Sequence, residues 1–211
     1  LTKRRREVDL DSRYGDVVEH VLSLKKDDTE LKVIYCSFGS RYDANQELLS
    51  NFFHRLFKVV STHKNYQMIV SMNMKLFSED KDIPSNIFIL NRVDQLAILS
   101  ISDLFITHGG LNSIKESIHF GIPMLVYPLE TFGDQPGNAA RIRFHKLGLS
   151  GDIKHDSYHL IEIKIDEIIR SSKFRKNIAI FNHKLQEKYT TSNFINKFEE
   201  ASSTYFQKLF S

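Results

Sequence analysis

The stretch Asp103-Leu104-Phe105-Ile106-Thr107-His108-Gly109-Gly110-Leu111-Asn112-Ser113-Ile114-Lys115-Glu116 decides how this chain folds. Its first five residues form a short apolar run of the kind a buried strand uses, and a helical pattern follows the glycine pair as far as His119. Adjacent glycines remove side chains where the backbone turns, so a bulky anion can come close. The helix start then offers unpaired N–H groups and the positive end of a dipole. Asn112 and Ser113 add side-chain donors, and His108 adds an imidazole. Together these groups can cradle a diphosphate. The same residues also admit a reading without a ligand. Ser113 and Glu116 match the S-x-x-E capping box, and glycines after a strand are ordinary turn residues.

Working outward, strand and helix signals alternate. Upstream, Lys32 to Phe38 is a buried-strand run that ends at Gly39. Leu48, Leu49, Phe52, Phe53, Leu56, Phe57 and Val60 recur at spacings of three and four, which predicts a helix over 45–60. Tyr66–Ser71 and Ile87–Leu90 read as strands, and Asp94 can cap a short helix carrying Leu96 and Leu99. Downstream, Pro123–Tyr127 is a strand, and the next helix has Pro136 near its first turn and Gly148 where a C-terminal stop belongs. From about Asp156 the chain reads as helical to its end, with a stripe of Ile161, Ile165, Ile168 and Ile169 and a further helix beginning near Thr191 or Ser192. The first dozen residues are charged and aperiodic, and a short amphipathic helix with Val17, Val18, Val21 and Leu22 follows. We therefore divide the chain into a leader with a short helix, 1–30, and one domain, 31–211. The rhythm predicts an α/β fold, a doubly wound parallel sheet with helices on both faces and C-terminal helices. In such sheets ligands lie beyond the carboxyl ends of the strands. That singles out Ser37–Ser40, Arg92–Gln95, His108–Ser113 and Leu129–Gln135.

Composition narrows the function classes. Of 211 residues 41% are hydrophobic, enough for one sizeable core. The net charge of +3 is too small to argue for nucleic acid. The single cysteine, Cys36, sits in an apolar run, so no internal disulfide or cysteine metal site is possible and a reducing, cytoplasmic setting is expected. No apolar run approaches the roughly 20 residues of a membrane span. Lys3-Arg4-Arg5-Arg6 has no apolar stretch behind it, unlike a signal peptide, and reads as solvated charge. Because the chain opens on Leu1, it is expected to be a piece of something longer. His155 and His159 have the i, i+4 spacing of zinc ligands on a helix but lack a third partner at useful spacing.

Further motifs follow at fixed order. Gly121-Ile122-Pro123-Met124 enters a strand, and Asp134-Gln135-Pro136-Gly137-Asn138 comes after it. The run from Thr107 to Arg141 resembles the signature of the UDP-glycosyltransferase superfamily: a His-Gly/Cys-Gly-x-Asn-Ser-x-x-Glu core, a Gly-x-Pro-Met strand entry and an Asp/Glu-Gln-x-x-Asn segment. Val33–Ser40 looks like the first strand of that family's C-terminal domain, and Asn91–Leu99 sits where the family has an aromatic-x-Pro-Gln segment. The resemblance spans roughly Val33 to Gly148.

The resemblance implies a Rossmann-like domain, the C-terminal half of a GT-B glycosyltransferase. It implies a UDP-sugar donor, inversion at the anomeric carbon and no metal or other cofactor. His108, Gly109 and Gly110 would lie against the diphosphate, with Asn112 and Ser113 on phosphate oxygens and Ser40 approaching from the first strand. Glu116 would accept from the ribose hydroxyls, and Asp134 and Gln135 would hold the transferred sugar. Arg92, Val93 and Gln95 would line base and ribose; Arg92 stands where the family commonly has Trp, and Asp94 where it has Pro. The general base and the acceptor contacts belong to the family's N-terminal domain, so no catalytic base is assigned here. Two D-x-D runs, Asp9-Leu10-Asp11 and Asp80-Lys81-Asp82, match metal-dependent glycosyltransferases but follow no buried strand and read as solvated charges. Two other readings stay open: the nucleotide subunit of a split, lipid-linked GlcNAc-type transferase, and a nucleotide-sugar-binding module without transfer activity.

Overall fold

The computed structural model describes residues 10–39, 46–72 and 83–188, the last four as backbone only. Ser40, the Asp80-Lys81-Asp82 run, the basic leader and the helix expected near Thr191 lie outside the described residues. In chain order the described residues form α1 (Tyr14–Asp27), β1 (Lys32–Ser37), α2 (Gln46–Ser61), β2 (Tyr66–Ser71), β3 (Ile87–Leu90), α3 (Gln95–Ile101), β4 (Leu104–Thr107), α4 (Leu111–Phe120), β5 (Met124–Val126), α5 (Asp134–Phe144), β6 (Gly148–Ser150), α6 (Tyr158–Arg170) and α7 (Ser172–Lys188).

The strands make one parallel sheet in the order β3-β2-β1-β4-β5-β6. The chain winds outward from β1 to β3, then returns to lay β4 on the other side of β1. That reversal makes a doubly wound sheet, and it puts a topological switch point between β1 and β4. Both sheet faces are buried. Ile34 and Cys36 point to one layer, packed with Phe52, Phe53 and Leu56 of α2 and with Ile161, Ile165 and Ile168 of α6. Val33 and Tyr35 point to the other, where Ile98 and Leu99 of α3, Ile114 and Ile118 of α4, Ile142 of α5 and Ile178 of α7 lie. The period of two along β1 is thus satisfied on each side. The phenylalanines of α2 are core residues, with Phe38 set edge-on to Phe52 and Phe53.

The structure adds to the sequence reading at one place and departs from it at three. The described part of the leader is joined to the domain. Val21 of α1 is fully buried in the second layer, and Lys25 Nζ donates to Ile101 O at 2.8 Å and Asp103 Oδ2 at 2.9 Å. Asp11 is not a solvated charge: its side chain is 5% exposed and accepts from the N–H groups of Arg13 and Asn91. Gly148 does not stop a helix. Lys146 takes the positive φ of 54° after α5, and Gly148 opens β6, where any Cβ would run into the Met124 carbonyl. Finally, His155 and His159 are not on one helix. His155 lies in the turn before α6, paired with Asp152 at 2.9 Å, and only His159 is helical.

Candidate functional site

Sheet register builds the site. Ser37 at the end of β1 pairs with Thr107 at the end of β4, and Thr107 pairs with Val126 at the end of β5. The residues that follow these three strands therefore emerge side by side. They surround a cavity of about 390 Å³. Phe38 and Gly39 come from β1, His108, Gly110, Leu111, Asn112 and Ser113 from the β4–α4 turn, and Leu129, Glu130, Asp134 and Gln135 from the β5–α5 connection.

The glycine turn is fixed from behind. Gly109 has φ +90°, and a Cβ there would meet Val126 Cγ1 at 2.8 Å. Its carbonyl accepts from Asn138 Nδ2 at 2.9 Å. His108 folds its ring over two glycines: a Cβ would stand 2.7 Å from Nε2 if built on Gly110, and 3.1 Å from Cε1 if built on Gly39. Burial lowers the imidazole pKa from its ordinary value, and the carboxylates of Asp134 and Glu130 and the backbone of Ser37 pull the other way. Nδ1 is buried, and among the described residues nothing bonds it within hydrogen-bond geometry, the Ser37 backbone acting on the ring from a looser approach.

The start of α4 overturns the capping-box reading. Gly110 is the N-cap residue and has no side chain with which to cap the helix. Ser113 stands three residues inside, too late to act as the cap. The first intrahelical bond is Ile114 N to Gly110 O, 3.0 Å, so the N–H groups of Leu111, Asn112 and Ser113 have no intrahelical acceptor. Glu116 instead meets Gln95, whose Nε2 donates to Glu116 Oε2 at 2.5 Å and to Ser113 Oγ at 3.3 Å.

The expected residues thus fall into groups. His108, Gly110, Asn112, Ser113, Asp134 and Gln135 line the cavity. Gly109 shapes its wall, while Gln95 and Glu116 stand behind Ser113. Arg92 is exposed beyond β3, Val93 is buried in the core, and neither lines the cavity. Asp94 caps α3 through bonds from Leu96 and Ala97, which accounts for a carboxylate at that position. Gln135 is buried, with Oε1 accepting from Leu129 N at 2.8 Å. One amide oxygen therefore closes the loop. Phe38, Gly39, Leu111, Leu129 and Glu130 also line the cavity; they fall within the post-strand stretches but were given no contact of their own. Asn138, quoted in the Asp134–Asn138 run without a role, lies one helical turn after Asp134, a spacing that puts both on one face of α5.

Chemically, the cavity is two-sided. Helix-start N–H groups, a hydroxyl and an imidazole face it from α4, and carboxylates face it from the β5–α5 connection. One side suits an anion and the other suits hydroxyls. Among the described residues, no three His, Cys, Asp or Glu side chains gather as metal ligands. No described helix is long and apolar enough to cross a membrane.

A Rossmann-like sheet in this order, with a cavity at its switch point, is the architecture of GT-B glycosyltransferases. The glycotransferase of kitacinnamycin superposes with a TM-score of 0.70 at 23% identity, over 82% of this chain and 44% of that one. Os79 from O. sativa, solved in complex with UDP, superposes with a TM-score of 0.66 at 20% identity, over 82% of this chain and 40% of its own. Those likenesses establish the fold. In sequence, residues 81–188 match the family model described as UDP-glucoronosyl and UDP-glucosyl transferase. The chain belongs to that family. Among its relatives, the uncharacterized UDP-glucosyltransferase YdhE of Bacillus subtilis (strain 168) is 31% identical over 74% of this chain and 38% of its own length. UDP-glucuronosyltransferase 3A2 of Homo sapiens is 34% identical over 46% of this chain and 18% of its own. The chain spans well under half the length of these relatives.

Proposed function

We propose that this chain is the donor-binding domain of an inverting glycosyltransferase, which moves a sugar from a UDP-sugar to an acceptor hydroxyl. One observation carries the reading: the uncapped start of α4, the Ser113 hydroxyl and the His108 imidazole converge on one cavity beyond β1, β4 and β5. As the bond between the anomeric carbon and the diphosphate oxygen breaks, negative charge builds on the departing UDP. Donors already aimed at that charge stabilise it without reorganising. In this reading Asn112 and Ser113 bind phosphate oxygens, the role the sequence resemblance also gives Ser40. Glu116 takes the ribose diol, Asp134 and the Gln135 amide N–H groups hold sugar hydroxyls, and Arg92 stacks on the base beside the Val93 backbone. The leaving group is neutralised by protein donors alone, so no metal is assigned. His108 serves the diphosphate, and the base that deprotonates the acceptor comes from outside these residues. A cytoplasmic setting goes with such a donor.

A thermal-shift series tests this. UDP should raise the melting temperature more than UMP, and UMP more than uridine, because the phosphate cradle supplies much of the binding. Saturation at 100 times the dissociation constant is worth about 2.7 kcal/mol. Equal stabilisation by UMP and UDP would remove the diphosphate roles of His108, Asn112 and Ser113.

A further inference from the structure

Tyr35 lies on β1, fully buried, with its ring stacked on Phe105 at 5.0 Å and 9°. A hydroxyl in such a layer is costly unless bonded. Tyr35 Oη donates to Gln95 Oε1 at 3.2 Å. Burial pushes the phenol pKa well up, against the pull of the Ser37 and Ser71 hydroxyls, so the group stays protonated and remains a donor.

The two ends of an amide are not equivalent. With its oxygen held by the phenol, Gln95 must present Nε2 on the other side, where Ser113 Oγ and Glu116 Oε2 accept. A flipped amide would set its oxygen against the Glu116 carboxylate, acceptor against acceptor. The Glu116 carboxylate, an acceptor only, therefore selects the amide orientation, and the phenol holds the oxygen end in place. Two consequences follow, one at the cavity wall and one just behind it. Ser113 Oγ accepts from Gln95, which leaves its own proton free for an anion. Glu116 has one oxygen engaged and its rotamer fixed, which leaves Oε1 for a ligand.

We infer that Tyr35 is a positioning residue for the nucleotide, its buried hydroxyl acting through Gln95 to set the Glu116 carboxylate and the Ser113 hydroxyl. This rests on the cavity being a UDP site. Tyr35→Phe keeps the ring and its stack and deletes only the oxygen. Calorimetric titration with UDP and 2′-deoxy-UDP would compare wild type, Tyr35→Phe, Gln95→Leu and the double variant. Wild type should bind UDP and prefer it to the deoxy form. Tyr35→Phe should weaken UDP binding about 3- to 10-fold and narrow the ribo-to-deoxy preference. In the Gln95→Leu background the same change should have no further effect. Unchanged affinity and preference in Tyr35→Phe overturn the inference and leave the UDP site standing, and so does an equal loss in both backgrounds. Wild type failing to bind UDP overturns the UDP site and the inference with it. If Tyr35→Phe does not fold, Gln95→Leu alone must narrow the preference; full retention there overturns the inference.

Discussion

At the scale of single residues, His108 gives a pH test with a definite sign. Its pKa lies below the ordinary imidazole value in the folded chain, chiefly through burial. Between those two values the unfolded chain binds a proton that the folded chain does not. Its contribution is therefore complete above the unfolded pKa and is lost as pH falls through the folded one. His108→Asn should lose less melting temperature than wild type between about pH 7.5 and about pH 5. Thermal melts across that range check it, and parallel curves would mean that the ring does not titrate as its burial implies. Bound UDP-glucose should shrink the difference, since a diphosphate beside the ring favours its protonated form. The place of His108 beside the glycine pair was legible because all three are neighbours in sequence. The Tyr35–Gln95–Glu116 relay was not, because its members lie 60 and 21 positions apart and only the fold brings them together.

At the scale of elements, α1 shows what periodicity conveys. Val17, Val18 and Val21 were legible as one face of a helix, but the helix's attachment to the sheet was not. That attachment depends on Asp103, whose carboxylate accepts from Lys25, from Arg175 and from the Val33 N–H. Two α1 variants separate a packed helix from a loose leader. Val21 is fully buried while Leu22 is 43% exposed. Val21→Ala should cost about 1–3 kcal/mol, and Leu22→Ala should stay within about 0.5 kcal/mol. Urea unfolding measures both, and two equally small changes would favour the leader. The strands β1 to β5 were legible because buried parallel strands are continuous apolar runs. The sixth was not. Gly148-Leu149-Ser150 has a single large apolar side chain, and what makes it a strand is backbone pairing to β5 together with a glycine that lets the two approach.

At the scale of the whole molecule, the proposed division of labour predicts binding without turnover. Transfer needs a general base, worth about 10²- to 10⁴-fold, and an acceptor held at the anomeric carbon, worth roughly 7–11 kcal/mol. In the proposed division the cavity stabilises the leaving group, and the base and acceptor contacts come from elsewhere. Purified chain incubated with UDP-glucose and a panel of phenolic, sterol and sugar acceptors should form no glycoside, and slow donor hydrolysis is the most expected. Rapid, stoichiometric glycosylation would require a base within these residues, and His108 would be the first to replace. Donor binding should also survive excess chelator; a large loss of affinity on adding EDTA would point instead to acidic metal ligands.

The glycine start of α4 has one more effect, in time rather than in space. A helix whose opening turn lacks a side-chain cap is held there only by the bonds further along. Its first amides should then open and exchange with solvent faster than those of Ile114 to Ile118, which lie in the buried part of the same helix. A ligand that accepts from those amides completes the turn. Deuterium uptake at Leu111, Asn112 and Ser113 should therefore slow when UDP is added, while uptake along the rest of α4 stays as it was.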